Sequence, residues 1–100
     1  MRSEITMTEA EALSLCDIHY SDLPEDVSGV CAPKGERFVV VLNQGADEIK
    51  RRRALHHELA HIRLGHFSSD LSLREMEAEA DELAQYEMDL DTGRGVVPMG

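Results

Sequence analysis

The run Phe38-Val39-Val40-Val41-Leu42 is β-prone and apolar on both of its alternating faces. As a strand it has to be covered on both sides, so the rest of the chain must fold around it. A second β-prone run, Val27-Ser28-Gly29-Val30-Cys31, precedes it. Between the two, Ala32-Pro33-Lys34-Gly35 places Pro at the second position of a turn and Gly at the fourth. Pro presets the backbone dihedral and Gly suits the exit, which predicts a β-hairpin. Asn43-Gln44-Gly45 ends the second strand.

Helix signals flank the hairpin. Thr8-x-x-Glu11 has the form of a capping box, and Ala12, Leu13, Cys16 and Tyr20 follow at helical spacing, predicting a first helix over residues 8–20. The Asp and Pro content of residues 21–26 marks a loop. Asp47 is a good N-cap with Glu48 in the first turn, so a second helix runs from there through Leu64 to the stop at Gly65. Ser72-x-x-Glu75 opens a third helix with Leu73, Met76, Ala80 and Leu83 on its apolar side. From Asp89 onward, Gly93, Gly95 and Pro98 predict an irregular tail over residues 89–100. The sum is an α+β fold in a single domain over residues 1–100, a small antiparallel hairpin sheet packed against about three helices.

The net charge of −10, from 20 acidic and 10 basic residues, repels phosphate and argues against direct nucleic-acid binding. Lys50, Arg51, Arg52 and Arg53 are consecutive in a helix, so they point around it rather than forming one stripe; they read as a solvated surface pairing with Asp47 and Glu48. Cys16 and Cys31 lack C-x-x-C spacing and read as buried free thiols, the first on the apolar side of the first helix and the second in a strand. Met1-Arg2-Ser3-Glu4 lacks an apolar signal core and no run reaches membrane-spanning length, so a cytoplasmic location with no membrane partner is expected.

The second helix contains His57-Glu58-Leu59-Ala60-His61. Histidines four residues apart share one helix face, and both imidazoles can reach one cation, for which zinc is the natural choice. Glu58 directly follows the first histidine, so its carboxylate can sit beside the metal without ligating it, where a general base for a zinc-bound water belongs. A catalytic zinc needs a third protein ligand and one open position. The third helix offers Glu75, Glu77, Glu79 and Glu82, and only Glu77 has an aspartate four residues on. Asp81 can therefore accept a hydrogen bond from the far nitrogen of a ligating histidine, which selects Glu77 as ligand and leaves Glu75, Glu79 and Glu82 as solvated carboxylates.

Of the remaining histidines, His56 is rotated about 100° from His57, away from the metal face. His66 follows Gly65 and reads as a C-terminal helix cap, and His19 reads the same way for the first helix. Tyr20, Tyr86 and Arg63 are each capable of donating to an oxyanion, and nothing in the sequence chooses among them.

The segments Phe38-Val39-Val40-Val41-Leu42-Asn43, Arg53-Ala54-Leu55-His56-His57-Glu58-Leu59-Ala60-His61-Ile62-Arg63-Leu64-Gly65-His66 and Glu77-Ala78-Glu79-Ala80-Asp81-Glu82-Leu83-Ala84 together resemble the ImmA/IrrE metallopeptidases, over about residues 10–88. The resemblance implies a minimal zincin-like fold with a gluzincin-like site: His57, His61 and Glu77 as zinc ligands and Glu58 as base. It also implies zinc endopeptidase activity, with a helix-turn-helix transcriptional repressor of a phage or mobile element as the protein substrate. The alternative is a zinc-bearing interaction module that binds a regulator without cutting it; the presence of Glu58 argues against that, because binding alone needs no general base.

Overall fold

The local signals resolve into an α+β fold in a computed structural model, which describes residues 3–92. In chain order the elements are α1 (Glu9–Ser14), β1 (Cys16–Ser21), β2 (Gly29–Lys34), β3 (Arg37–Asn43), α2 (Glu48–Arg63), a 3-10 turn (His66–Ser68) and α3 (Leu73–Thr92). The Thr8 capping box forms in both directions, Thr8 Oγ1 accepting from the Glu11 amide at 3.1 Å and Glu11 Oε1 from the Thr8 amide at 3.1 Å. Asp47 Oδ1 caps α2 by accepting from the Lys50 amide at 2.8 Å. Ser72 does the same for α3 through the Glu75 amide at 3.2 Å.

The first helix is shorter than its spacing predicts, and this corrects the reading of residues 8–20. It stops at Ser14, and residues 16–21 form β1, paired parallel with β3 from Cys16 opposite Phe38 to Ser21 opposite Asn43. Cys16, Ile18 and Tyr20 fit a period of two as well as a helical one. The open edge of β3 decides between them by offering hydrogen bonds that an isolated helix end cannot match. His19 therefore lies mid-strand and exposed, not at a helix terminus.

The expected hairpin is present, with β2 antiparallel to β3. Its turn is Gly35-Glu36, two residues later than the Pro33 turn predicted, and Gly35 takes φ 61° where an L side chain would be strained. Pro33 instead sits inside β2 opposite Phe38. It is tolerated there because β2 is an edge strand in the order β1-β3-β2.

One face of the sheet receives the helices. Val40 (0% exposed) and Leu42 (2%) pack on Ala54 of α2, while Leu59 and Ile62 of α2 close on Ala12 of α1. Burying each of the larger of these side chains stabilises the fold by about 1.5–3 kcal/mol. On the other face Val39 and Val41 are only half-buried, so β3 is covered by helix on one side, and by its neighbouring strands laterally, rather than on both faces. Cys16 and Cys31 are free thiols, half-buried rather than buried; Cys16 Sγ donates to the Ala12 carbonyl at 3.2 Å.

Two polar anchors hold the loops and ends that frame the site. Asn43 is buried, and its amide nitrogen donates to the carbonyls of Leu23, Pro24 and Val27 at 3.2, 3.2 and 2.9 Å, folding the 22–28 loop against the sheet. At the far end, α3 continues through Asp89 to Thr92, where a tail was expected, because Asp91 is tied to α2 through His56 at 3.3 Å and Arg52 at 3.4 Å. The rest of the predicted tail, residues 93–100, lies outside the described residues.

Candidate metal centre

His57 and His61 lie one turn apart on α2, and α3 runs alongside with Glu77 facing both. His57 Nε2 is 2.9 Å from Glu77 Oε2, His61 Nε2 is 3.4 Å from Glu77 Oε1, and the two Nε2 atoms are 3.1 Å apart. Ligand atoms on adjacent corners of a zinc tetrahedron lie about 3.3 Å apart, given metal–ligand bonds of about 2.0–2.2 Å. The three side chains therefore converge at the spacing one zinc ion requires, and among the described residues they form the one His/Cys/Asp/Glu group able to do so. Two imidazoles and one carboxylate, open on one side to a cleft, are a donor set that fits a catalytic zinc. Burial, and then the neighbouring His57, push His61 below the usual histidine range, which favours the neutral imidazole that ligation needs.

The far nitrogens of both imidazoles are occupied. His57 Nδ1 is 2.9 Å from Asp81 Oδ1, so Asp81 stands where the spacing with Glu77 places it. His61 Nδ1 is 2.9 Å from His66 Nδ1, and His66 Nε2 is 2.8 Å from Glu79 Oε1. Glu79 Oε2 in turn accepts the Ser3 amide at 2.7 Å. His66 is thus buried beside the site and is not a surface helix cap, and Glu79 is not a solvated carboxylate. Burial works against the charge on Glu79, but the Ser3 amide and His66 outweigh it and hold the carboxyl down to about 2. Glu75 and Glu82 are exposed, as expected. Gly65 ends the helix as expected, and at φ 66° it also turns the chain so that His66 comes back against the helix it has just left, a consequence that its role as a stop does not announce.

Glu58 lines two cavities that meet at this point. The larger, about 830 Å³, extends past His57 to Ser28, Lys50, Arg53 and Ala84. The smaller, about 360 Å³, extends past His61 to Val30, Phe67, Leu73 and Met76. Gly29, Glu58 and Glu77 belong to both, so the cleft continues on either side of the ligand set. Burial raises the Glu58 carboxyl above its usual range; His57 opposes that shift and Glu77 adds to it. A carboxylate tuned upward towards neutrality is a better proton acceptor at physiological pH.

His56 points away from the centre, as its rotation predicts, and is held by Glu9 at 2.7 Å and Asp91 at 3.3 Å. None of the three oxyanion candidates lines the cleft. Arg63 is buried against Glu87 at 3.0 Å and the Met7 carbonyl at 3.1 Å, Tyr86 borders a separate cavity with Ile5 and Leu83, and Tyr20 is exposed on β1. The basic cluster divides as its positions around the helix require. Arg52 pairs with Glu48 at 3.2 Å, Arg51 donates to the carbonyls of Gln44 and Ala46, and Lys50 and Arg53 face the cleft.

No helix among the described residues is long and apolar enough to cross a membrane. Compared with known proteins, the chain matches no family model, no curated protein and no solved structure.

Proposed function

We propose that this chain is a zinc-dependent endopeptidase, with His57, His61 and Glu77 as the metal ligands and Glu58 as general base and acid. The observation that carries the reading is the position of Glu58. It is a partly desolvated carboxylate in the wall of both cavities that meet at the ligand set. A site built only to hold a metal has no use for it.

Zinc held by these side chains supplies Lewis acidity for a carbonyl and for a water. The chain's own residues handle the proton. Glu58 accepts it from the attacking water at a carboxylate oxygen and returns it to the departing amine nitrogen, so the carboxylate is regenerated and one peptide bond is exchanged for an amine and a carboxylic acid. Asp81 keeps His57 turned towards the ligand set by accepting from its Nδ1.

A cleft open on both sides of the ligands suits cleavage within a polypeptide, which needs room before and after the scissile bond. Gly29 to Cys31 of the edge strand β2 form part of its wall. Their outward backbone groups are unpaired in the sheet and available to an extended peptide. The choice of a helix-turn-helix repressor as substrate rests on the family resemblance of residues 10–88, and the cytoplasmic setting on the absence of an apolar core in Met1-Arg2-Ser3-Glu4.

The deciding experiment is zinc analysis of the purified chain alongside His61→Ala and Glu77→Ala, followed by repressor cleavage with wild type and Glu58→Gln. Near-stoichiometric zinc in wild type alone, with cleavage lost in Glu58→Gln, is the expected result. Zinc binding without cleavage of any protein substrate would favour the interaction module, and a wild-type chain that takes up no zinc would end the enzyme reading.

A further inference from the structure

The nitrogen of His61 that faces away from Glu77 is bonded to another histidine, and that contact restricts where every proton in the neighbourhood can be. Two ring nitrogens 2.9 Å apart form a hydrogen bond only if one carries a proton and the other does not. With His61 Nε2 directed at the ligand set, its proton belongs on Nδ1 and is donated to His66 Nδ1. His66 then carries its own proton on Nε2, which points at Glu79 Oε1, 2.8 Å away. Glu79 is an acceptor, and its second oxygen is already taken by the Ser3 amide. With His61 as a ligand, donation therefore runs one way from His61 through His66 to Glu79, whose other oxygen accepts from the Ser3 amide.

Burial gives this series its force. The side chains of His66 and Glu79 are 3% and 10% exposed, so water cannot readily replace either partner. Their elements bring them together from opposite sides: His66 from the turn after Gly65, Glu79 from α3 two residues beyond Glu77. An imidazole with a free Nδ1 rotates and exchanges tautomers; one whose Nδ1–H is held presents Nε2 in one direction and is a stronger donor to a metal.

We infer that His66 and Glu79 are a positioning pair for the ligand His61, setting its tautomer and ring orientation and thereby the zinc affinity of the centre. The inference rests on the reading of His57, His61 and Glu77 as a zinc site. His66 is not itself a ligand, because it meets His61 on the nitrogen opposite the one that faces Glu77.

The test uses the whole chain, stripped of metal and titrated with zinc against a chelator of known affinity, with cobalt substitution as a spectroscopic readout. His66→Ala and Glu79→Ala should each weaken zinc binding by about 10- to 100-fold. Both should also alter the cobalt d–d absorption bands. His66→Asn, which keeps an acceptor near the Nδ1 position, should recover part of the affinity. Glu79→Gln preserves the shape of the carboxylate and serves as the milder probe if an alanine variant fails to fold. Folded variants that bind zinc within about twofold of wild type, with an unchanged cobalt spectrum, would overturn the inference and leave the zinc site standing. A wild-type chain with no zinc affinity would overturn both at once.

Discussion

Glu77 and Asp81, one helical turn apart on α3, approach opposite nitrogens of the same imidazole: Glu77 Oε2 lies 2.9 Å from His57 Nε2, and Asp81 Oδ1 lies 2.9 Å from His57 Nδ1. The spacing of an α-helix is what lets one element contribute both a ligand and the group that orients another element's ligand. It also means that His57 bridges two side chains of α3 at the centre, while His61 reaches Glu77 alone.

Asp81 is 72% exposed, so water can partly take its place when it is removed. Asp81→Ala should therefore weaken zinc binding by about tenfold, the low end of the range for such partners. Chelator competition on the wild-type and variant chains measures this directly. An affinity equal to wild type would show that Asp81 only decorates the surface.

Glu58→Gln keeps the volume of the side chain and removes its basicity. Peptide hydrolysis should fall by about 10²- to 10⁴-fold or more while zinc affinity changes little, because Glu58 is outside the ligand set. Parallel zinc titration and cleavage assays separate the two effects. Cleavage at wild-type rates in this variant would remove Glu58 from the mechanism.

Asn43→Asp is nearly isosteric but replaces a donor that serves three carbonyls with an acceptor, at a residue 5% exposed. It should destabilise the fold by about 3 kcal/mol or more, since buried carbonyls lose their partner and meet a carboxylate instead. Urea unfolding of the metal-free chain reads the loss. A shift below about 1 kcal/mol would mean that the 22–28 loop is not anchored through this side chain.

Burial pushes the Cys31 thiol up to about 12, with the nearby Glu58 adding to the shift. The thiolate, the reactive form, should be about 10³-fold scarcer than in the unfolded chain at pH 8, so alkylation of the native protein should be slow by a similar factor. The linkage has a definite sign. The folded value is raised, so its contribution to stability is intact below the unfolded value near 9 and is lost as pH rises from there towards 12. Alkylation rates with and without denaturant, and unfolding curves across that alkaline window, provide the check; native Cys31 reacting as fast as unfolded Cys31 would contradict the burial argument.

The parts of this structure legible in the sequence are those set by local chemistry. Thr8, Asp47 and Ser72 announce their helices because a short polar side chain satisfies amides within three residues of itself. The grouping of His57, His61 and Glu77 follows from periods of four residues on two helices. The parts that escaped depend on partners far away in the chain. Residues 16–21 carry both periodicities, and only the vacant edge of β3 turns them into a strand. The extension of α3 to Thr92 depends on Asp91 finding His56 and Arg52. His66 escaped because its role requires a left-handed glycine to reverse the chain, and Glu79 because its partner is that same histidine.

The strand that is third in sequence is the middle one in space, with β1 and β2 on either side and no bonds between those two. Neither outer strand can find its place before β3 is made. On a ribosome adding about 5–20 residues per second, β1 must wait on the order of a few seconds with its edge unsatisfied. The hairpin of β2 and β3 can close locally and quickly, whereas the parallel pairing with β1 closes a long loop and is the slower event. Assembly of the sheet therefore proceeds outward from β3, and mutations that slow folding should concentrate in β3 and the Gly35-Glu36 turn.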